Sequence, residues 1–124
     1  MILIDTSVWI DHLRNGNSTL SELLYGTRVL AHPWVIGEIA LGSLRSREDV
    51  LTLLQGLPQA SVATGPEVLM LVEQERLYGS GIGYVDAQLL AATRLTPDAT
   101  LWTFDSKLSQ AAQRLEVDAS PLLS

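Results

Sequence analysis

The chain has 124 residues and a mass of 13.5 kDa, which is the size of one domain with one core. Apolar residues make up 47% and charged residues 18%, which excludes a disordered chain, and the absence of cysteine excludes a disulfide scaffold, a thiol nucleophile and Cys-ligated metal. Eight Lys and Arg against 14 Asp and Glu leave a net charge of −6, too acidic for a generic basic nucleic-acid binder.

The opening MILIDTSVW lacks the basic flank and the apolar length of a signal peptide. No apolar run approaches the roughly 20 residues of a membrane helix. With no cysteine present, a soluble cytoplasmic protein without membrane contact is expected.

In chain order, Ile2-Leu3-Ile4 reads as a strand, and Asp5-Thr6-Ser7 is placed to cap a helix to about Leu13. Asn15-Gly16-Asn17 is a turn. Thr19-Leu20-Ser21-Glu22 has the form of a capping box for a short helix that Gly26 stops. Arg28 to Ala31 reads as a second strand. Pro33 then opens a helix with Val35, Ile36, Ile39, Ala40 and Leu44 on one stripe. Ser46 is expected to cap the next helix, ending at Gly56, and Ala60 to Ala63 a third strand. Thr64-Gly65-Pro66-Glu67 is a second capping box, for a helix to Tyr78. After the Gly79–Gly83 loop come a helix over Val85–Thr93, a strand over Leu101–Phe104 and a helix over Ser106–Leu115. Val117 begins a weak edge strand before Pro121. Alternating strands and helices predict an α/β fold, a three-layer α/β/α sandwich with a parallel sheet of four to five strands and helices on both faces, as one domain over residues 1–124.

Parallel sheets build their sites at strand carboxyl ends. Asp5 and Asp105 each follow a strand directly and open a helix. Glu38 interrupts an apolar helical stretch, and Asp86 sits in the first turn of an apolar helix. Four carboxylates on one rim repel one another and raise each other's pKa until a cation neutralises them. An all-oxygen set without cysteine points to Mg²⁺, with Mn²⁺ also suitable. Two such ions would move the working charge from −6 to about −2, compatible with RNA. Arg45, Arg47 and Arg94 are candidates for binding substrate phosphate. Read singly, each acid also suits a plain helix cap, and Glu38 could pair with Arg45.

The stretches Ile4-Asp5-Thr6-Ser7-Val8-Trp9, His32-Pro33-Trp34-Val35-Ile36-Gly37-Glu38, Gly83-Tyr84-Val85-Asp86-Ala87 and Leu101-Trp102-Thr103-Phe104-Asp105 occur in this order. As an ordered set they resemble the motifs of PIN-domain ribonuclease toxins, the VapC-type toxins of type II toxin–antitoxin pairs. The resemblance implies a metal-dependent endoribonuclease acting on RNA, with Asp5, Glu38, Asp86 and Asp105 on the acidic metal-binding positions. It places Thr6 and Thr103 on polar supporting positions, and Phe104 where many relatives carry a basic side chain. It also implies a cognate antitoxin and a homodimer. Trp9, Ile10 and Leu13, with Leu20, Leu23, Leu24 and Tyr25, make a two-helix region apolar enough to receive an antitoxin helix.

Other classes fit less well. A receiver-like phosphoacceptor domain shares the size and the βα alternation. It wants an acidic pair after the first strand, where this chain has Asp5 and then Thr6, and a Lys just after the last strand, where Asp105 precedes Lys107. A D-x-D phosphatase is excluded by Ser7, and neither a nucleophile elbow nor a Walker Lys is present.

Overall fold

The computed structural model describes residues 1–119 and Leu123. Three strands form, β1 (Ile2–Ile4), β2 (Val29–Leu30) and β3 (Thr100–Trp102). Seven helices accompany them among the described residues: α1 (Thr6–Asn15), α2 (Ser18–Tyr25), α3 (Pro33–Ala40), α4 (Arg47–Gly56), α5 (Gly65–Gln74), α6 (Tyr84–Leu95) and α7 (Ser106–Arg114).

β1 is short but wholly apolar, as a strand covered on both faces must be. It takes the centre of a parallel sheet in the order β2-β1-β3. Ile2 pairs with Val29 on one side and Thr100 on the other, and Leu3 pairs with Leu30 and Leu101. The core gathers around this strand, with Val8, Trp9, Leu20, Val35, Ile39, Leu54, Leu89, Leu90 and Leu108 all buried.

The fourth and fifth strands are not formed among the described residues. At one edge Ala31 and Gln59 make an isolated parallel bridge, and at the other Leu101 and Asp118 do the same. The Ala60–Ala63 segment leaves the ladder because the Ser61 amide turns to the Thr96 hydroxyl at 2.9 Å. The segment after Val117 runs towards Pro121, which lies outside the described residues.

Caps decide where the helices begin. Thr64 accepts from the Glu67 amide and Glu67 from the Thr64 amide, the reciprocal box expected for α5. The box expected at Thr19 is not used. Asn17 lies two residues earlier and its side chain accepts from the Leu20 amide at 2.9 Å, so α2 starts at Ser18. Ser46 precedes α4 but makes no side-chain cap, because its backbone is left-handed at φ 50°. Glu48 and Asp49 supply negative charge to that first turn instead. α5 stops at Gln74, four residues before Tyr78, where Arg76 turns left-handed at φ 52°.

One expectation about surfaces changes. Trp9, Leu20 and Leu23 close into the core, so of the two-helix apolar region Ile10, Leu13 and Leu24 remain half-buried and Tyr25 is exposed. Trp34 is open to solvent. His32 is fully buried as the N-cap of α3, its Nδ1 accepting from the Trp34 amide at 3.0 Å.

Candidate active site

β1 and β3 are neighbours, so the residues that follow them meet at one sheet edge. The Asp5 amide donates to the Trp102 carbonyl at 2.9 Å, which continues the ladder one step and delivers Asp5 beside Thr103. Asp5 is buried and starts α1 without capping it. Its Oδ2 instead accepts from both the Ser7 and Thr103 hydroxyls, each at 2.7 Å. Those hydroxyls are themselves held by backbone. Ser7 Oγ accepts from the Phe104 amide and Thr103 Oγ1 from the Asp105 amide, each at 3.0 Å. Each hydroxyl thus spends its proton on Asp5, which fixes the rotamer of that carboxylate.

The other three acids are tethered in the same manner. Glu38 Oε1 accepts from Thr6 Oγ1 at 2.7 Å, linking α3 to the first turn of α1. Asp86 Oδ2 accepts from the Gly83 amide at 3.0 Å. Asp105 Oδ1 accepts from the Leu108 amide at 2.9 Å as the N-cap of α7. In every case one carboxylate oxygen is held by this chain, and among the described residues the second oxygen has no protein donor. Glu38 does not pair with Arg45, and it is exposed rather than tucked beside the apolar stripe.

Electrostatics join the four. The Asp86 carboxyl is pushed above its ordinary range, first by burial and then by the negative charges of Asp5, Asp105 and Glu38, against the lowering pull of the Gly83 amide. One acid therefore senses the other three. No three acidic or imidazole side chains among the described residues converge into a ready-made cage for one ion. The set still suits Mg²⁺ or Mn²⁺. Mg²⁺ keeps several waters and is commonly held by one or two carboxylates together with substrate phosphate. Oriented carboxylates with one free oxygen each are the appropriate donors.

Among the described residues none of the three predicted arginines is hydrogen-bonded or ion-paired to the four acids. Arg94 lies eight residues past Asp86, about 12 Å along α6, and pairs with Glu75 at 2.7 Å. Arg45 lines a cavity of about 320 Å³ with Ile10, Leu13, Arg14 and Val50, and Arg47 is exposed at the start of α4. Ser7 is the residue that sequence reasoning missed. Its signal was its place two residues after Asp5, within reach of the same carboxylate. The Gly79–Gly83 loop also acquires a neighbour. Gly81 has φ +87°, and a Cβ there would come within 2.8 Å of the Lys107 side chain, so the only lysine lies across a glycine that must stay bare.

The sequence profile of the family described as "PIN domain" matches residues 2–114. The chain belongs to the PIN domain family. Two curated relatives of this PIN domain are both named "Ribonuclease VapC32", from Mycobacterium tuberculosis strains CDC 1551 / Oshkosh and ATCC 25618 / H37Rv. Each is 51% identical over 111 residues, which covers 90% of this PIN domain and 90% of the relative. Membership sets aside the receiver-like alternative. No helix of the PIN domain among the described residues is long and apolar enough to cross a membrane.

Proposed function

We propose that this PIN domain is an endoribonuclease that hydrolyses RNA phosphodiester bonds at Asp5, Glu38, Asp86 and Asp105 with Mg²⁺ or Mn²⁺. It would serve in the cytoplasm as the toxin of a toxin–antitoxin pair, held by a cognate antitoxin and assembled as a homodimer. The observation that carries the reading is the tethering of all four acids, each with one carboxylate oxygen held by a hydroxyl or a backbone amide, in a chain similar to a named ribonuclease. Burial first, and then the charges of the other three acids, raise the pKa of Asp86, and a bound divalent cation relieves such crowding and supplies hydrolytic chemistry.

When bound, the divalent ion supplies a Lewis acid for the phosphate and a water of lowered pKa. The chain supplies orientation. Ser7 and Thr103 hold Asp5 through Oδ2 and leave Oδ1 directed by that grip. Thr6 does the same for Glu38, so Thr6 and Thr103 are supporting residues. Asp105 and Asp86 are each held by a backbone amide at a helix start, which orients one carboxylate oxygen. Neither histidine enters this chemistry, since His32 is sealed in the core and His12 Nδ1 accepts from the Asn17 amide. Products with a 5′ phosphate and a 3′ hydroxyl are expected from attack by water.

The strand order supports one three-layer domain. Right-handed crossovers from β1 to β2 and from β2 back across to β3 move in opposite directions, which puts their helices on opposite faces. The acids then fall at the topological switch point between β1 and β3.

The test is RNA cleavage by purified protein with Mg²⁺ or Mn²⁺. Asp5→Asn keeps the side-chain volume and removes charge, and is expected to lower the rate by about a hundredfold or more, with Ser7→Ala and Thr103→Val costing about 10- to 100-fold. Cleavage at the wild-type rate by folded Asp5→Asn protein overturns the assignment.

A further inference from the structure

Exposed aromatic rings stand beside three of the four acids. Trp34 precedes Glu38 by one helical turn on α3, and the two share a shallow cavity of about 510 Å³ with Pro33, Gly37 and Leu41. Tyr84 opens α6 two residues before Asp86. The Trp34 and Tyr84 rings meet edge to face at 5.8 Å and 64°, bridging the two helices that carry Glu38 and Asp86. Phe104 directly precedes Asp105 and meets Trp102 edge to face at 5.6 Å. Trp34, Tyr84 and Phe104 are 41%, 48% and 53% exposed, so each ring keeps substantial area for a further contact.

These rings are positioned. The Gln88 amide donates to the Tyr84 hydroxyl at 3.1 Å, and Gln88 is buried one turn further along α6. The Phe104 amide is tied to Ser7 Oγ. Half-exposed rings keep an apolar face available for a stacking contact.

The charges around the rings determine what they can bind. The centre of the proposed site is four carboxylates, and among the described residues no guanidinium is among their hydrogen-bond or ion-pair partners. Arg94 is tied to Glu75. Away from the phosphate that a bound divalent ion would take, the cationic side chain beside the Gly81 loop is Lys107. The π-faces of nucleobases are neutral and suffer no such repulsion. Bases inside a duplex are stacked on each other and closed to side chains, whereas unpaired bases are open.

We propose that Trp34 with Tyr84 on one side of the carboxylates, and Phe104 on the other, form stacking platforms for unpaired RNA bases flanking the cleaved phosphate, so that single-stranded RNA is gripped by its bases more than by its charge. This rests on the ribonuclease reading and names how its substrate is held.

The test uses a fluorescein-labelled 12-nucleotide RNA, free and annealed to its complement. Binding is read with Asp5→Asn protein, so that nothing is cut, and steady-state cleavage is read with otherwise wild-type protein. The platforms predict that Trp34→Ala, Tyr84→Ala and Phe104→Ala each weaken single-strand binding and raise KM by roughly 5- to 150-fold, with kcat within about threefold. Trp34→Phe retains most affinity. The slope of log affinity against log salt is shallow and unchanged by these variants, since no phosphate contact is lost. Gln88→Leu raises KM less than Tyr84→Ala, as expected of a residue that only positions the ring. Wild-type KM and binding in all three alanine variants overturn the proposal, as does an effect confined to kcat. Loss of antitoxin capture with unchanged RNA binding assigns the rings to a protein partner and also overturns it. If the protein binds the single strand through these rings but does not cleave it, the platforms stand and the ribonuclease reading fails. If it binds no RNA, both fail.

Discussion

At the scale of single residues, Asp86 reports the state of the whole site. Its folded-state pKa is raised, by burial first and then by Asp5, Asp105 and Glu38. Between its ordinary value and the raised one, the folded protein holds a proton that the unfolded chain has released. This group's contribution to stability is therefore complete at low pH and is lost as pH rises through the folded-state pKa. At neutral pH the metal-free protein carries a strained charge. Asp86→Asn is expected to raise the melting temperature in EDTA at pH 7, with an amide oxygen still able to accept from the Gly83 amide. Saturating Mn²⁺ should raise the melting temperature of the wild type, because the ion binds the folded state only, and should raise that of Asp86→Asn much less. Melting curves with EDTA and with Mn²⁺ read both effects, and a wild-type melting temperature indifferent to Mn²⁺ would count against a shared site.

At the scale of elements, much of the order was legible because the signals are local. Thr64 and Glu67 sit at box spacing, and Pro33 fits a first helical turn, so α5 and α3 begin where their residues dictate. Asp5 and Asp105 could be placed together because Asp5 follows β1 directly and Asp105 stands three residues past the end of the neighbouring β3. Non-local competition hid the rest. Asn17 outcompeted Thr19 for the Leu20 amide, and Thr96, 35 residues away, took the Ser61 amide that a further strand needed. The distant partners of Asp5 and Glu38 were equally invisible, since Thr103 lies 98 residues from Asp5 and Thr6 lies 32 from Glu38. His32 shows how a cap can carry pH dependence. Burial lowers its pKa, Nδ1 accepts from the Trp34 amide, and Nε2 is buried without a partner. The folded state favours neutral His32, so its contribution is complete above the ordinary pKa of about 6.5 and is lost as pH falls through that value towards the folded-state pKa. Thermal stability measured from pH 8 to pH 5 should fall on the acid side. His32→Asn, which offers a cap that does not titrate, should flatten that limb at some cost in packing.

At the scale of the whole molecule, the proposed toxin reading calls for a partner that holds the enzyme in check, and the surface of this −6 chain offers a place for one. A cavity of about 220 Å³ lies between α1, α2 and α4, lined by Trp9, His12, Leu13, Leu24, Asp49, Val50 and Leu53. Trp9 is its floor, already buried, so the removable contacts are at the rim. Leu53 is 50% exposed and Tyr25 95% exposed, and both can be changed with little effect on the core. On that reading the proposed antitoxin site contracts from two whole helices to one apolar groove with an acidic rim at Asp49, which suits an amphipathic helix bearing a basic residue. Leu24 is half-buried, and a charge there would confuse a lost interface with a lost fold. Leu53→Glu is the cleaner probe. It should abolish co-purification with the antitoxin from the neighbouring reading frame, while leaving the melting temperature within a few degrees and RNA cleavage intact. A stable complex formed by folded Leu53→Glu protein would move the antitoxin to another face. Leu53→Met should restore capture, since it returns an apolar side chain of similar volume to the rim.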